Sequence, residues 1–529
     1  MKTDHLRAVP PPPLPSLFND VLGPVMRGPS SSHSAAALRI GRLARALMKG
    51  RFQHVVVDYD PSGSLVTTHH TQGSDLGLAG GLLGWEADDE RLEHYQDELE
   101  KAGITVEVRY LDYQAEHPNT YRLVLRDGDL TRTLTAVSTG GGMIEVHEVD
   151  SIPVCIHGDL YELFVFADEG DESVGATVKE LARHGDLVEA RRLGGKRSGW
   201  QLRSRNCWAA EQLDMLSSFE INQLPPVMPV LAGNAGALPF RTAGEFLRLM
   251  DEETPLWQWA LRYEAARSGW SETRVFEQAA MIMATMRRSL DCGLLGRELP
   301  GRLLPTQVKA FERAERGQKL VQGSIQNQMI RYVTAIMESK AGLEVIVAAP
   351  TAGSCAALPA ALLAVGDAND WGEEALVRGL LAAGLIGIFI AEGATFSAEL
   401  GGCMAECGSA AGMAAAGLSE MMGGSPAQAV CAASVALQNM LGLVCDPIAS
   451  RVEAPCLGKN AMAASNAINS ANMALAGYQH LIPLDQVITA MDEVGKAMPR
   501  ELCCTALAGL SVTPASKALE LRLAGKPGC

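Results

Sequence analysis

The sequence predicts a multidomain protein with an α+β N-terminal domain, a small α+β insert and a mainly α-helical C-terminal domain. Apolar residues alternate along several short segments before residue 150, with the two-residue period of half-buried strands. A second strand-helix-strand-strand pattern follows, and from Phe240 onward segments rich in Ala, Leu and Met have helical spacing. With 529 residues, 47% of them hydrophobic and 20% charged, the chain can bury enough surface for two or three domains.

The N-terminal part begins with a proline-rich segment. Residues 1–17 contain PPPPLP and are predicted to form a disordered, extended lead. Residues 18–150 are predicted to form the α+β domain. Its predicted helices are Ala35–Met48 and Asp89–Ala102, and its predicted strands are His54–Tyr59, Thr105–Tyr110 and Tyr121–Leu125.

The insert is predicted at residues 151–220, where a strand, a helix and two further strands follow one another. Residues 221–239, which contain QLPPVMPVLAGNAGALP, are predicted to be an extended linker. The insert is either a small regulatory domain or a structural brace between the two main domains.

Residues 240–529 are predicted to form the helical domain. The most apolar run, Gly379 to Ala391, is too short to span a bilayer and is predicted to be a buried core helix. The predicted helices are 244–251, 256–266, 272–292, 306–316, 327–340, 408–422 and 461–476.

Charge and composition exclude several classes of protein. A net charge of −16 disfavours nucleic acid and anionic membrane surfaces as partners. The N-terminus has no apolar segment typical of an export signal, and twelve cysteines in a long chain indicate reduced thiols. We therefore expect a cytoplasmic protein that acts on a small molecule.

The cysteines most suited to a metal lie in turns of small residues. Cys355 follows APTAGS, Cys403 and Cys407 lie in GGCMAECG, and Cys445 and Cys456 follow GLV and VEAP. Gly, Ala, Ser and Pro let the backbone fold closely around a metal centre, as a cluster of thiolates requires. No CxxC spacing is present at these positions, and ordinary buried cysteines remain the alternative.

A second candidate segment lies near the N-terminus. Ser30, Ser31, Ser32 and His33 come directly before the predicted helix Ala35–Met48. Free backbone N–H groups and the helix dipole favour an anion at such a position, for example a substrate carboxylate. Helix capping would account for one or two of the serines but not for all three with a histidine.

These segments together resemble the iron-sulfur-dependent L-serine dehydratases in their single-chain form. The resemblance rests on GPVMRGPSSSHSAAALRIGRLA, HPNTYR, STGGGMIEVHE, APTAGSC, GGCMAECGSAAGMAAAG, GLVCDP and VEAPCLGKNA, which follow one another in the family's order and cover most of the chain. It implies a lyase of amino-acid catabolism and gluconeogenesis that converts L-serine to pyruvate and ammonia with a [4Fe-4S] cluster. It also implies a homodimer in the cytoplasm. Residues 151–220 resemble a degenerate ACT module, the amino-acid-binding regulatory domain of some relatives.

The resemblance assigns roles to individual residues. Cys355, Cys403 and Cys445 are the expected iron ligands, with Cys407 next in order. The C-terminal Cys529 is expected to occupy the open iron until substrate displaces it. The expected catalytic residues are His33, Ser31 and Ser32, and the expected substrate-binding residues are Ser30, Lys459 and Asn460.

One position departs from the family pattern. Where the family has a Gly-His-Gly/Ala-Thr-Asp loop, this chain has Thr71-Gln72-Gly73-Ser74-Asp75. Gln72 cannot transfer a proton as histidine does, although His69 and His70 are close in sequence. Two alternatives therefore stay open. The chain is a lyase for another amino acid, such as a cysteine desulfidase or an enzyme for another hydroxy-amino acid, or it is a non-catalytic amino-acid-binding protein.

Overall fold

The computed structural model describes residues 14–167, 173–181, 187–194, 198–233, 238–298 and 301–524. Cys529 and most of the predicted proline-rich lead lie outside these ranges. The last residues of that lead are described and are ordered. Ser16 and Leu17 are fully buried, and Arg267 and Tyr263 donate hydrogen bonds to the carbonyl oxygens of Leu14 and Pro15. The predicted disorder therefore does not extend to residue 17.

The N-terminal domain is α+β, as predicted. Its helices pack on a sheet whose inner face is formed by buried residues such as Val55, Val57, Leu123 and Val146. The elements are β1 Val25–Met26, α1 Ala36–Leu47, β2 His54–Tyr59, α2 Leu65–Thr68, α3 Ser74–Leu83, α4 Tyr95–Lys101, β3 Thr105–Tyr110, β4 Thr120–Asp127, β5 Leu130–Gly140, β6 Met143–Val149 and β7 Ile152–Ile156.

Six of these strands form one sheet in the order β3-β2-β4-β5-β6-β7, in which only β2 and β3 are parallel. Since β7 pairs with β6 in this sheet, the domain continues past its predicted end at Asp150 to Ile156. The pairing of β6 with β7 shifts by one residue between Val146 and Glu148, which is a bulge.

The insert forms a separate four-stranded antiparallel sheet in the order β11-β8-β10-β9. Strands and helices follow one another as β-α-β-β-α-β, the succession of the ferredoxin-like motif. Its elements are β8 Tyr161–Ala167, α5 Ser173–Leu181, β9 Leu187–Leu193, β10 Ser198–Ser204, α6 Ala210–Asp214 and β11 Glu220–Leu224.

The predicted linker is shorter than expected and is packed. Its first residues belong to β11, which pairs with β8. Val227 and Met228 donate their N–H groups to the Gly158 carbonyl and join the core of the N-terminal sheet. Val230 is fully buried against the helical domain, so this segment joins the domains by contact rather than as a free tether.

The C-terminal half is helical, as its apolar periodicity predicts. Its elements are α7 Ala243–Leu249, α8 Leu256–Ser268, α9 Glu272–Leu294, α10 Gln307–Arg316, α11 Ser324–Ala341, β12 Ile346–Val347, α12 Ala357–Ala368, α13 Glu373–Gly393, α14 Ala398–Cys403, α15 Ser409–Met421, α16 Pro426–Gln438, α17 Cys456–Leu475, α18 Leu484–Ala497 and α19 Pro514–Ala524. Within the described ranges, α13 alone is long and apolar enough to span a membrane, and 78% of its most apolar window is buried in this domain. Its burial on all sides is typical of a core helix.

The start of the described chain joins the two halves. Leu17–Val21 forms a π-helical turn against α13, and β1 pairs with β12 of the helical domain. The chain then enters a second π-helical turn, Ser31–Ala35, directly before α1. The predicted Ser-Ser-Ser-His segment is thereby placed at the boundary between the two halves.

Helices α1 and α3 approach each other closely because α3 has glycines at the contact. A Cβ on Gly77 would lie 1.9 Å from the Ser34 carbonyl oxygen, and one on Gly81 would lie 2.1 Å from that of Leu38. Both contacts are with backbone, which cannot rotate away. The glycines therefore fix how deeply the Ser31–Ala35 turn lies against α3.

We expect Gly77→Ala to lower the free energy of unfolding by about 1–3 kcal/mol, because the new methyl group overpacks the helix contact. The matched control is Gly175→Ala in α5, where the nearest atom to a new Cβ is 3.9 Å away. The control should be neutral or stabilising by up to about 1 kcal/mol, since alanine favours helix. Urea unfolding midpoints check both variants. Equal midpoints for the two would contradict the close contact.

Candidate active site

Cys403 lies at a break in the chain between two helical segments. It ends α14, and Gly402 before it has a φ of 63°, a left-handed conformation that glycine adopts without strain. The Met404 N–H donates to the Leu443 carbonyl at 2.9 Å, which ties this break to the loop that carries Cys445. A π-helical turn, Met404–Gly408, follows. Such turns occur often at functional sites.

Cys445 is held beside Cys504, a cysteine that no sequence motif marks. The Cys445 N–H donates to the Leu502 carbonyl at 2.8 Å, and the Cys504 N–H donates to the Cys445 carbonyl at 3.3 Å. The side chains of Cys403, Cys445 and Cys504 form one buried cluster with Ala398. No local motif marks Cys504, because its approach to Cys445 arises from chain folding alone.

Gln72 extends to this cluster from the N-terminal domain. Its Nε2 lies 3.5 Å from Cys504 Sγ, and its side chain is buried. The two histidines nearby in sequence make other contacts: His69 Nδ1 lies 2.7 Å from Asp75, and His70 is exposed. Gln72 is therefore the residue of this loop that meets the cysteines.

A carboxylate completes the group around Cys403. The Sγ atoms of Cys403 and Cys445 and a Glu406 oxygen all lie within 4.8 Å of one another. Glu406 accepts a hydrogen bond from the Thr351 hydroxyl at 2.6 Å. Burial raises the pKa of Glu406 to about 7. The hydrogen bond from Thr351 lowers this pKa, and the negative charge of Glu399 raises it. Glu406 is thus poised to be either neutral or charged near neutral pH.

The cysteines differ in which charges surround them. Burial raises the pKa of Cys456, and the next largest contribution comes from Cys403. The pKa of Cys407 is raised by the same two causes. Burial raises the pKa of Cys355 to about 11, and the charges that act on it are those of Lys340 and Glu406. The charge of Cys403 thus acts on Cys456 and Cys407, whereas the charges that act on Cys355 are those of Lys340 and Glu406.

This donor set fits a metal cluster. Buried thiols are soft ligands that suit iron-sulfur clusters and zinc, and at least three of them converge here from separate loops. Lys459 supplies a compensating charge: its Nζ lies 3.8 Å from Cys403 Sγ and 2.7 Å from both Asp446 Oδ1 and the Val444 carbonyl oxygen. Although burial opposes it, the negative charges of Cys403 and Asp446 raise the pKa of Lys459.

Asn460, predicted to bind substrate, has its polar atoms engaged with the backbone. Its Oδ1 accepts from the N–H groups of Ala356 and Ala357, and its Nδ2 donates to the carbonyls of Gly353 and Cys456. It therefore caps α12 and ties the Cys355 turn to α17. Its predicted contact with substrate would require one of these bonds to break.

His33 is buried between the two halves, and its hydrogen bonds define its tautomer. Its Nε2 lies 2.8 Å from the Thr68 hydroxyl, which donates its own proton to the Ser64 carbonyl. The Thr68 oxygen must therefore accept from Nε2–H. Nδ1 is left as the basic nitrogen, 3.0 Å from the Ser30 hydroxyl and 3.6 Å from a Glu399 oxygen.

His33 and Glu399 form a buried acid-base pair. Their side chains are 0% and 2% exposed, so neither is screened by water. Burial lowers the pKa of His33, while the Glu399 carboxylate opposes this by raising it. Burial thus favours the neutral imidazole of His33, while Glu399 favours the protonated one. Glu399 was missed in the sequence because a lone glutamate in an apolar helix carries no signal.

The three serines have different positions. The Ser31 hydroxyl accepts the Ala352 N–H at 3.1 Å, which joins the serine segment to the turn before Cys355. Ser30 contacts His33, and Ser32 is buried. The N–H groups of His33 and Ser34 donate to the Ser30 carbonyl, so those two amides are not free for an anion.

A cleft of about 770 Å³ opens between the two halves and leads to this group. Ser64 and Pro118 line it on the N-terminal side, and Glu399 and Cys503 line it on the helical side. It therefore reaches the partner of His33 and the neighbour of Cys504. A small polar substrate entering here would contact residues of both halves of the chain.

Two buried polar atoms near the cleft have no hydrogen-bond partner among the described residues: Asn119 Nδ2 and Ser138 Oγ. Asn119 belongs to HPNTYR and Ser138 to STGGG, and the Ser138 N–H donates to the Asn119 carbonyl at 3.1 Å. Unsatisfied buried donors are costly and are explained when a ligand supplies the partner.

Comparison with known proteins supports the family resemblance. Residues 251–511 match the family model described as serine dehydratase alpha chain. An L-serine dehydratase of Streptomyces coelicolor is 31% identical over 496 residues, which are 92% of this chain and 96% of that protein. The chain belongs to the serine dehydratase family.

Other serine dehydratases match in part or throughout. A probable L-serine dehydratase alpha chain of Bacillus subtilis is 40% identical over 251 residues, 47% of this chain and 84% of that protein. L-serine dehydratase TdcG of Escherichia coli is 28% identical over 505 residues, 92% of this chain and 96% of that protein. This serine dehydratase family member thus aligns with single-chain relatives over most of its length.

Single cysteine-to-serine variants test the metal centre. Cys403→Ser and Cys445→Ser should lose most of their iron after anaerobic purification, since each removes a thiolate from the central group. Cys431→Ser should retain it, because Cys431 lies in α16 with its Sγ against the Tyr478 carbonyl. Comparing Cys355→Ser with Cys456→Ser decides between the predicted ligand and the one closer to Cys403. Elemental analysis measures iron, and unchanged iron in Cys445→Ser would exclude it as a ligand.

Proposed function

We propose that this protein is an L-serine ammonia-lyase that depends on a [4Fe-4S] cluster and converts L-serine to pyruvate and ammonia. The observation that carries the proposal is that two groups meet beside the cleft, where the two halves pack together. The helical half supplies the buried thiols of Cys403 and Cys445 with Lys459 beside them. The N-terminal half supplies His33, paired with Glu399. Family membership with proteins named L-serine dehydratase supports L-serine as the substrate.

Cys403 and Cys445 would hold the cluster, with Cys456 as the third ligand because of its proximity to Cys403. Cys355 stays a predicted alternative. The role of Cys529 stays a prediction for a residue outside the described chain. When bound, such a cluster supplies a Lewis-acidic iron to the departing hydroxyl, which is otherwise a poor leaving group.

The chain's own residues then handle the proton. His33 Nδ1 is placed to take the α-proton, and Glu399 stabilises the imidazolium that results. The α-carbon loses a proton and the β-carbon loses hydroxide, so one water leaves and 2-aminoacrylate remains. This tautomerises to an imine, and hydrolysis of the imine gives pyruvate and ammonia.

Asn119 Nδ2 and Ser138 Oγ are proposed to bind the substrate carboxylate. Both are buried donors without a partner in the described chain, and both belong to the N-terminal half, where Pro118 beside Asn119 lines the cleft. A carboxylate satisfies such donors at once, which favours an amino acid over a neutral substrate. Ser31 and Ser32 are proposed to assist from the neighbouring turn.

The β-α-β-β-α-β insert is proposed to be an ACT-like regulatory module, and the protein to be a cytoplasmic homodimer. The order of strands supports the first proposal, because regulatory amino-acid-binding modules of this type share that topology. The net charge of −16 supports a soluble small-molecule enzyme.

The contact between Gln72 and Cys504 supports an alternative substrate. Gln72 and Cys504 meet where the family loop has a histidine, so the side chain that meets Cys504 cannot exchange a proton as an imidazole does. The same elimination chemistry on another hydroxy-amino acid, or on cysteine with sulfide as the leaving group, is the alternative.

An anaerobic assay of keto-acid formation from L-serine, L-threonine and L-cysteine tests the proposal. We expect brown protein and the highest kcat/KM on serine. A higher kcat/KM on cysteine or threonine would show that this amino acid, and not serine, is the preferred substrate. Colourless, iron-free protein without turnover would indicate an amino-acid-binding protein instead.

We expect His33→Ala to lower kcat by about 10²–10⁴-fold while the visible spectrum of the cluster is unchanged. The matched control is His94→Ala, at an exposed histidine far from the cleft, and it should leave kcat as in the unmodified protein. Steady-state kinetics with absorbance spectra check both variants. Near-normal kcat in His33→Ala would give His33 a structural role.

A further inference from the structure

Four metal-binding side chains share one face of the N-terminal sheet, away from the cysteine centre. Glu145 and His147 alternate along β6, while Cys155 in β7 is followed two residues later by His157. Val146 pairs with Ile156, and both are fully buried in the core. Because successive side chains point to opposite faces, the residues on either side of this pair point away from the core.

The donor atoms already lie close together. Cys155 Sγ is 3.4 Å from His157 Nε2 and 3.7 Å from Glu145 Oε1, and His147 Nε2 is 3.2 Å from the same Glu145 oxygen. Bond lengths of about 2.0–2.3 Å around a tetrahedral zinc ion place its ligand atoms roughly 3.3–3.7 Å apart. The ligand atoms of Glu145, Cys155 and His157 all lie within 4.8 Å of one another, close to the spacing of a zinc site. His147 contacts this group through Glu145 and would complete it by a side-chain rotation.

We propose that Glu145, His147, Cys155 and His157 bind a Zn²⁺ ion. One thiolate, two imidazoles and one carboxylate form the mixed set that a borderline-soft divalent ion prefers, whereas Ca²⁺ and Mg²⁺ require oxygen ligands. Four protein ligands close the coordination shell, so the ion is structural rather than catalytic. His147 is 46% and Glu145 31% exposed, which gives the ion access from solvent.

The position of these residues at the edge of the sheet indicates how a bound zinc ion would stabilise it. β7 is the edge strand of the six-stranded sheet, and its pairing with β6 is broken by the bulge between Val146 and Glu148. A zinc ion bound from both strands links them where the hydrogen-bond ladder is incomplete.

The same edge contacts the insert. Arg191 of β9 donates to the Pro153 carbonyl at 3.1 Å. The other nearby cation, Arg203, is already paired with Glu162 and Glu189, so it does not exclude a metal ion by charge. Zinc would therefore also fix the surface on which the insert rests.

Zinc content per chain tests this proposal in the full-length protein, dialysed after exposure to ZnCl₂. We expect one more equivalent of zinc in the unmodified protein than in the double variant Cys155→Ser/His157→Ala. Cys207→Ser is the matched control, since Cys207 is exposed and in the neighbouring insert. It should retain the zinc, and so should Cys403→Ser, which alters the cysteine centre only.

Cobalt(II) titration gives a second readout, because thiolate ligation produces a visible charge-transfer band. The band should disappear in Cys155→Ser, and cobalt affinity should fall at least about tenfold in His147→Ala. As a control for folding, the double variant should keep the circular dichroism spectrum and the kcat on serine of the unmodified protein. Equal zinc in the unmodified and double variants would overturn the proposal. If Cys403→Ser loses the zinc and the double variant keeps it, the ion binds at the cysteine centre and the proposal is wrong.

Discussion

The site depends on how the start of the chain packs into one helix of the other half. Gly384 and Gly387 of α13 have no side chain to oppose Leu17, Val21 and Leu22, and a Cβ on Gly387 would lie 2.1 Å from the Val21 side chain. These two glycines create the space that receives the first turn. A fully buried carboxylate, Glu264, accepts the N–H of Leu17 and the hydroxyl of Ser16. Every later segment of the N-terminal domain is positioned from this anchor.

Because of this anchor, the candidate site forms at the interface between the N-terminal and helical halves. From Leu22 the chain passes through β1, which pairs with β12, and arrives at His33 opposite Glu399. A second contact fixes the same geometry: a Cβ on Gly140 would lie 2.9 Å from the backbone nitrogen of Ser397, the residue before α14. His33 and the cysteine cluster are therefore supplied by different halves. A catalytic chemistry that needs both requires the two halves to fold against each other.

Local patterns in the sequence predicted much of this arrangement. Apolar periodicity located the helices of the C-terminal half, and small-residue turns marked Cys403 and Cys445, because these signals depend on neighbours in sequence. The contacts of Glu399, Cys504 and Asn119 could not be predicted in this way. Gln72 and Cys504 are 432 residues apart, and only the packed structure brings them together. The packed state of the segment after β11 was missed for the same reason, since proline and glycine mark a loop but not its burial.

Electrostatics explains why the helical half keeps charged groups in its core. Thiolates that ligate iron carry negative charge, and Glu399, together with Glu406 when it is ionised, adds more within the site. An uncompensated buried charge costs several kcal/mol, so nearby cations are required. Lys459 lies 3.8 Å from Cys403 Sγ and is itself held by Asp446, which in turn accepts the N–H of Leu510 from the segment after Cys504. The lysine is thus fixed by the same loops that carry the cysteines. Binding of a cluster and ordering of these loops are therefore expected to be coupled, since the same loops carry the cysteines and hold the lysine that offsets their charge.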